Sequence, residues 1–359
     1  MPRTPKDPGF NPWRLSIAPM MAWTDKHCRY FHRLLTKNAL LYTEMVSTGA
    51  LLHGDLRQHL RFDQKEHPVA LQLGGSEPAD LARAAKIGQD WGYDEINLNC
   101  GCPSVRVQRG AFGACLMAEP ELVADGVKAM LDTVSIPVTV KHRIGIDRIE
   151  SYDFVRDFVG RVSEVGCNVF IVHARNAWLD GLSPKENREI PPLRYELAYQ
   201  LKRDFPWLTI SVNGGITTNE QIAGHLEHVD GVMIGREAYH NPWLMAEWDE
   251  MFFPQADHAF VPKAGGALLP QIVRAEPVEA PARTPLTREW VEEQMVAYME
   301  QEFEEDGTPW SAIARHMLGL RHGLRGARRW RQIWSDHHLK TLPAREVWAM
   351  AREFASEEA

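Results

Sequence analysis

Residues 69–102 read VALQLGGSEPADLARAAKIGQDWGYDEINLNCGC, and this stretch decides the fold. Its ends, VALQLGG and EINLNCGC, are short β-rich runs, and PADLARAAKIGQDWG between them has helical character. A strand, a helix and a second strand in succession describe a crossover that leaves the two strands parallel. The alternation continues in both directions. LSIAPM (15–20), LLYTEM (40–45), VTVKHRIG (138–145), VFIVHAR (169–175), TISVNGG (209–215) and GVMIGR (231–236) are strand-like, and EPELVADGVKAMLDTV and YDFVRDFVGRVSEVG lie between strands as helices. Eight repeats in roughly 235 residues predict an α/β fold, a closed (β/α)8 TIM barrel. The alternative is an open doubly wound sheet, but no GxGxxG follows the first strand.

Alternate residues of a strand face opposite sides of the sheet. One parity carries Ile17, Leu71, Leu73, Ile96, Leu98, Val140 and Val212, which should pack against the helices. The other carries Ala18, Glu44, Gln72, Asn97, Asn99, Thr139, Lys141, Arg143, Ser211 and Asn213. Polar groups aimed into a barrel must satisfy one another or hold a ligand, and they cluster toward the C-terminal strand ends where barrel sites are built.

The barrel should occupy residues 1–253. A Pro/Ala-rich stretch, 254–286, reads as a linker or insertion, and 287–359 as a C-terminal helical domain. The chain has a net charge of -8, but residues 287–306 carry eight acids against Arg288 alone, and 310–345 eight bases against Asp336 alone. Such a basic segment is either a docking surface for phosphates or a solvated helical face. The N-terminus shows no signal-like apolar stretch, and no run approaches the ~18 apolar residues that span a bilayer, so a cytoplasmic protein without membrane association is expected. No obligate protein partner is evident.

The five cysteines fit no common metal pattern, and no metal site is expected. Cys100 shares the parity of Ile96 and Leu98 and should be a small buried hydrophobe. Cys28, Cys115 and Cys167 also read as packing residues. Cys102 lies just past the fourth strand, between Gly101 and Pro103, where the chain turns over the barrel mouth. It is the candidate for chemistry. Gly214 and Gly215 end the seventh strand, and Gly235 with Arg236 ends the eighth, the places where this fold forms a phosphate cradle. Lys141 could form a Schiff base or set positive charge beside a cofactor that becomes anionic on reduction. Its neighbours Gln72, Asn99 and His173 are neutral or weakly basic, and no acid adjoins it to shuttle protons, which favours the cofactor. FMN has both a terminal phosphate and a ring edge that Gln72 could read.

The ordered motifs APMM, YTEM, HPVALQLGGSEP, YDEINLNCGCPSVRVQRGAFGACLM, VTVKHRIGID, VHAR, KENREIPPLR, VNGGI and DGVMIGR resemble those of the tRNA-dihydrouridine synthases, in particular the A-type acting on the D-loop near position 20. The similarity runs from about Leu15 to Arg236 and resumes in the tail. The resemblance implies reduction of a tRNA uridine to 5,6-dihydrouridine by FMN, itself re-reduced by NADPH. It implies that Pro19, Met20, Met21, Gln72, Lys141, His173, Asn213, Gly214, Gly215, Gly235 and Arg236 hold the flavin, and that Cys102 is the general acid. It implies that Asn99, Lys185, Arg188, Arg328 and Arg331 touch tRNA; Arg315, Arg321, Arg325 and Arg329 are further candidates for the basic grip. Hydride would add to uracil carbon 6 and a proton to carbon 5. A thiol, with a reference pKa of about 8.5, is mostly protonated at neutral pH yet able to give its proton up. The sequence departs from the family pattern at Ala22, where an acid is expected, at Cys100, and in a longer linker. The rival readings are a barrel flavoprotein reducing a free enone or pyrimidine, and a catalytically dead RNA-binding protein.

Overall fold

The computed structural model describes residues 11–104, 107–108, 110–254 and 286–354. Residues 255–285, nearly all of the expected linker, lie outside the described residues. The chain divides into two compact units, Met1–Ala256 and Asp257–Ala359.

The first unit is built on β1 (Leu15–Ile17), β2 (Leu40–Tyr42), β3 (Val46–Ser47), β4 (Val69–Gly74), β5 (Glu95–Cys100), β6 (Val138–Arg143), β7 (Val169–His173), β8 (Thr209–Asn213) and β9 (Gly231–Ile234). The strand order is β2-β1-β9-β8-β7-β6-β5-β4-β3, and β2 also pairs with β4, which closes an eight-stranded parallel barrel. The expected TIM barrel is therefore present. LLYTEM is not one strand: β2 stops at Tyr42, and the two-residue β3 pairs with the upper end of β4 at Leu73 and Gly74. Glu44 leaves the ladder between them and accepts a hydrogen bond from the Ala22 backbone, across the mouth end of β1.

The crossover helices follow from their sequences. Pro78–Trp91 starts on a proline, whose missing N–H costs nothing in a first turn, and ends on Gly92 at φ 99°. Its inner face is Leu81, Ala84, Ala85 and Gly88. A Cβ on Gly88 would lie 2.7 Å from both Ile96 Cδ1 and Leu71 Cδ2, so the glycine sets how closely this helix seats on β4 and β5. Leu71, Ile96, Leu98, Val140 and Val212 are fully buried, as their parity predicts.

The opposite parity fills the barrel. Ala18, Leu40, Tyr42, Ala70, Val169, Ile171 and Met233 form an apolar cluster, with Trp13 and Met20 packed against it. Beside it runs a polar ladder. Glu95 accepts from Trp13 Nε1, Tyr42 Oη and Thr139 Oγ1, each at 2.6 Å. Asn97 Nδ2 donates to Thr139 Oγ1 and Gln72 Nε2 donates to Asn97 Oδ1, both at 2.8 Å. The lower polar groups thus satisfy one another, and burial pushes the Glu95 carboxyl up to about 7.

The second unit packs Val291, Met295, Met299, Trp310, Ile313, Trp330, Trp334 and Trp348 into its core. The helix Arg288–Asp306 begins at Thr287, whose side chain accepts from Trp290 N. After Trp310 the helical domain is broken: Trp310–Ala314 and Ala327–Trp334 are helices, with Gly323 and Gly326 at positive φ between them. Among the described residues no helix is long and apolar enough to cross a membrane.

Candidate active site

At the C-terminal end of β5 the chain leaves the barrel wall at Cys100, which is fully buried, and turns through Gly101 to the half-buried Cys102. Asn99 fixes this turn. Its Oδ1 accepts from Gly101 N at 3.1 Å and Cys102 N at 3.0 Å, while its Nδ2 donates to Gln72 Oε1 at 2.9 Å. The Cys102 carbonyl accepts from Ala114 N at 2.9 Å. The polar ladder of the interior therefore ends on the Cys102 turn, and both ends of the Gln72 amide are engaged in it.

Opposite stands a group of cations. Lys141 Nζ donates to Asn213 Oδ1 at 3.2 Å, and Asn213 Nδ2 donates to Met233 O at 2.8 Å. Although Lys141 keeps some exposure at the mouth, its desolvating walls and then the Arg143 charge push its ammonium down to about 7. Arg143 is buried and clamps two loops, donating to the carbonyls of Gly101 (3.1 Å) after β5 and of Asn176 (3.1 Å) and Asn187 (2.9 Å) after β7. Burial, with Arg188 and Arg175 nearby, pushes it down to about 9. Lys141, Arg143 and Arg188 each lie within electrostatic range of Cys102. Burial and the same cations hold His173 neutral, well below the usual imidazole range.

Lys185 and Arg188 are both exposed and flank the buried Asn187 on the loop after β7. Asn187 Nδ2 donates to Trp178 O and its Oδ1 accepts from Trp178 N, so this one side chain shapes the loop. Arg236 Nη1 meets Glu189 of the same loop at 2.7 Å. At the expected phosphate cradle, Gly214 and Gly215 have φ of 120° and 70°, a region that L side chains rarely adopt. A Cβ on Gly214 would also strike His173 Cδ2 at 2.8 Å. Gly235 is under no such constraint, since its Cβ would meet only Ala18 Cβ at 3.9 Å. Pro19, Met20 and Met21 follow β1, with Met20 packed on the barrel cluster and Met21 62 % exposed.

Of the expected site residues, those of the first unit gather at one end of the barrel. Arg328 and Arg331 belong to the second unit, exposed three residues apart on the outer side of Ala327–Trp334, whose buried residues are Ala327, Trp330, Ile333 and Trp334. Arg321 is corrected: it is 2 % exposed, bonded to Glu292 Oε1 and Glu289 Oε1 at 2.6 Å each, and belongs to the core rather than to a basic surface. Sequence reasoning missed Glu95, Asn187 and the clamping role of Arg143. Glu95 was accessible, since it shares the parity of Asn97 and Asn99. Asn187 bonds backbone groups of its own loop, and Arg143 backbone carbonyls 33 to 44 residues away.

The donors fit a flavin mononucleotide. Clustered cations that repel one another at a desolvated mouth favour an anion, and neutral amides suit a heterocycle edge.

A family model described as Dihydrouridine synthase (Dus) matches residues 16–355. The tRNA-dihydrouridine(20/20a) synthase of Escherichia coli strain K12 is 56% identical over 325 residues, 90% of this chain and 86% of that protein. Those of Pseudomonas putida (56% over 331 residues, 92% and 90%) and Vibrio cholerae (54% over 335 residues, 93% and 94%) are similarly near. A solved 2-naphthoyl-CoA reductase complex shares the fold, with a TM-score of 0.52 at 11% identity over 66% of this chain and 50% of that one. With a family model spanning both units and relatives above half identity along nearly the whole length, the chain belongs to the dihydrouridine synthase family.

Proposed function

We propose that this chain reduces a uridine of tRNA to 5,6-dihydrouridine, at the D-loop positions 20 and 20a named for its relatives, with FMN in the barrel mouth and NADPH as reductant. The carrying observation is the placing of Cys102 at the mouth within electrostatic range of Lys141, Arg143 and Arg188, at the barrel end that carries the Gly214–Gly215 pair. FMN, when bound, supplies the hydride for uracil carbon 6.

The chain's own residues do the rest. Asn99 holds the Cys102 turn so that Sγ can give its proton to carbon 5 of the base. Lys141, held by Asn213, sets positive charge beside the cofactor, and Gln72, oriented by Asn97 and Asn99, hydrogen-bonds its ring edge. Gly214, Gly215, Gly235 and Arg236 receive the phosphate, with His173 closing the space beside Gly214, and Pro19, Met20 and Met21 supply apolar contact. Lys185 and Arg188, exposed on the rim, meet the RNA. A base in folded tRNA must leave its stack to enter, at a cost of a few kcal/mol. Arg328 and Arg331 offset that cost by gripping phosphates.

The test is to map dihydrouridine in tRNA from cells lacking this protein and after its return: loss and recovery at positions 20 and 20a support the reading. Equal reduction rates for free uridine and unmodified tRNA would favour a small-molecule reductase instead.

A further inference from the structure

We propose that Tyr195 is a positioning residue for the cofactor's phosphate, pinning the Gly214–Gly215 peptide so that its N–H faces the ligand; this rests on the reading of the mouth as an FMN site. Tyr195 Oη donates to the Gly214 carbonyl at 2.5 Å. In a trans peptide the C=O and N–H of one unit point in opposite directions. With the carbonyl turned to Tyr195, the Gly215 N–H points away from it, and that N–H has no hydrogen-bond acceptor among the described residues.

The turn is packed from behind. A Cβ on Gly215 would lie 2.6 Å from Leu193 Cδ1 and 3.3 Å from Tyr195 Oη. Tyr195 is itself held, as the first residue of the helix Tyr195–Asp204, with its ring edge-on to His225 at 4.4 Å. His225 Nδ1 in turn shares a 2.7 Å hydrogen bond with Tyr199 Oη. Arg175 lies within electrostatic range of both Tyr195 and Arg236, so guanidinium charge stands at the same place. A backbone N–H presented among guanidinium groups is the donor set of a phosphate monoester.

Two adjacent glycines have no side chains to bar rotation of the peptide between them. Without the Tyr195 hydroxyl, the competent orientation is populated only part of the time, and affinity falls by that fraction. The loss belongs to ligands that carry the phosphate.

The experiment compares FMN with riboflavin, which lacks the phosphate, binding to the full-length flavin-free protein by quenching of flavin fluorescence. For Tyr195→Phe we expect FMN binding to weaken about 3–10-fold, the equivalent of one hydrogen bond, with riboflavin binding unchanged. Tyr152→Phe, which removes a hydroxyl bonded to Asp204 at the far end of Tyr195's helix, should leave the FMN-to-riboflavin ratio of the wild type intact. A wild type that binds both flavins equally, or neither, would overturn the FMN reading itself. A wild type that prefers FMN, with a Tyr195→Phe variant that keeps the whole preference or loses both flavins alike, would overturn only the role given to Tyr195. Because the readout is a ratio, partial misfolding of a variant cancels.

Discussion

The amide of Cys102 donates to Asn99 Oδ1 across 3.0 Å, and the same oxygen takes the Gly101 amide at 3.1 Å. One side chain thereby sets the direction in which the sulfur leaves the strand. Asn99→Ala removes the acceptor from two backbone donors and the partner of Gln72 Oε1, each loss worth about 1–3 kcal/mol where water cannot replace it. We expect dihydrouridine formation on tRNA to fall at least about tenfold, since roughly 1.4 kcal/mol at the reacting geometry is a factor of ten. Steady-state turnover checks it, and near-normal turnover would separate the Cys102 turn from Asn99.

Lys141 should make flavin binding proton-linked. Its folded-state pKa is pushed down to about 7 by burial and by Arg143, against an ordinary value of 10.5. Below about 7 the folded and unfolded chains both hold the proton. Between there and 10.5 only the unfolded chain holds it, so the stability of the flavin-free protein rises with pH across this window. The anionic ring of reduced FMN beside Lys141 favours the ammonium and raises its pKa, so binding of reduced FMN at pH 8 takes up a proton. Calorimetry in two buffers of different ionisation heat should show that uptake in the wild type and its loss in Lys141→Met. Identical buffer dependence in the two proteins would contradict the placement.

Arg321 is predicted to matter for stability and not directly for RNA. It is buried against Glu292, which is fully buried and also accepts from Trp348 Nε1 at 3.1 Å. Removing one partner strands a buried charge, a loss of about 3–5 kcal/mol. Denaturant titration of Arg321→Ala should show a loss of this size in the helical unit. A change below about 0.5 kcal/mol would mean that the pair is dispensable.

Arg328 and Arg331 should behave in the opposite way. Both are exposed on the outer side of their helix, so replacing them with Ala should leave stability within about 0.5 kcal/mol. If each neutralises one phosphate, the slope of log Kd for tRNA against log salt should shrink by about one per arginine. An unchanged slope in the double variant would assign RNA contact to other residues.

These contrasts show what the sequence made legible. Strand-helix alternation and parity are local patterns, and they led to the barrel, its apolar outer layer and the residues at its mouth. The sequence placed Arg321 among surface arginines because its acidic partners, Glu289 and Glu292, lie 32 and 29 positions away. The break in the second unit at Gly323 and Gly326 was masked by helix-favouring neighbours. Asn187 and Arg143 shape loops by bonding backbone carbonyls, which exist in every sequence and mark none. Glu44, two residues past the end of β2, accepts from the Ala22 amide, at a φ of 63°, a pairing that only the folded chain brings near.

The most direct test of the account is Cys102→Ala assayed in two half-reactions. The account predicts that NADPH still reduces the bound flavin at close to the wild-type rate, while dihydrouridine in tRNA falls by about 10²-fold or more, the contribution of one positioned proton donor. A variant that forms dihydrouridine at the wild-type rate would contradict it.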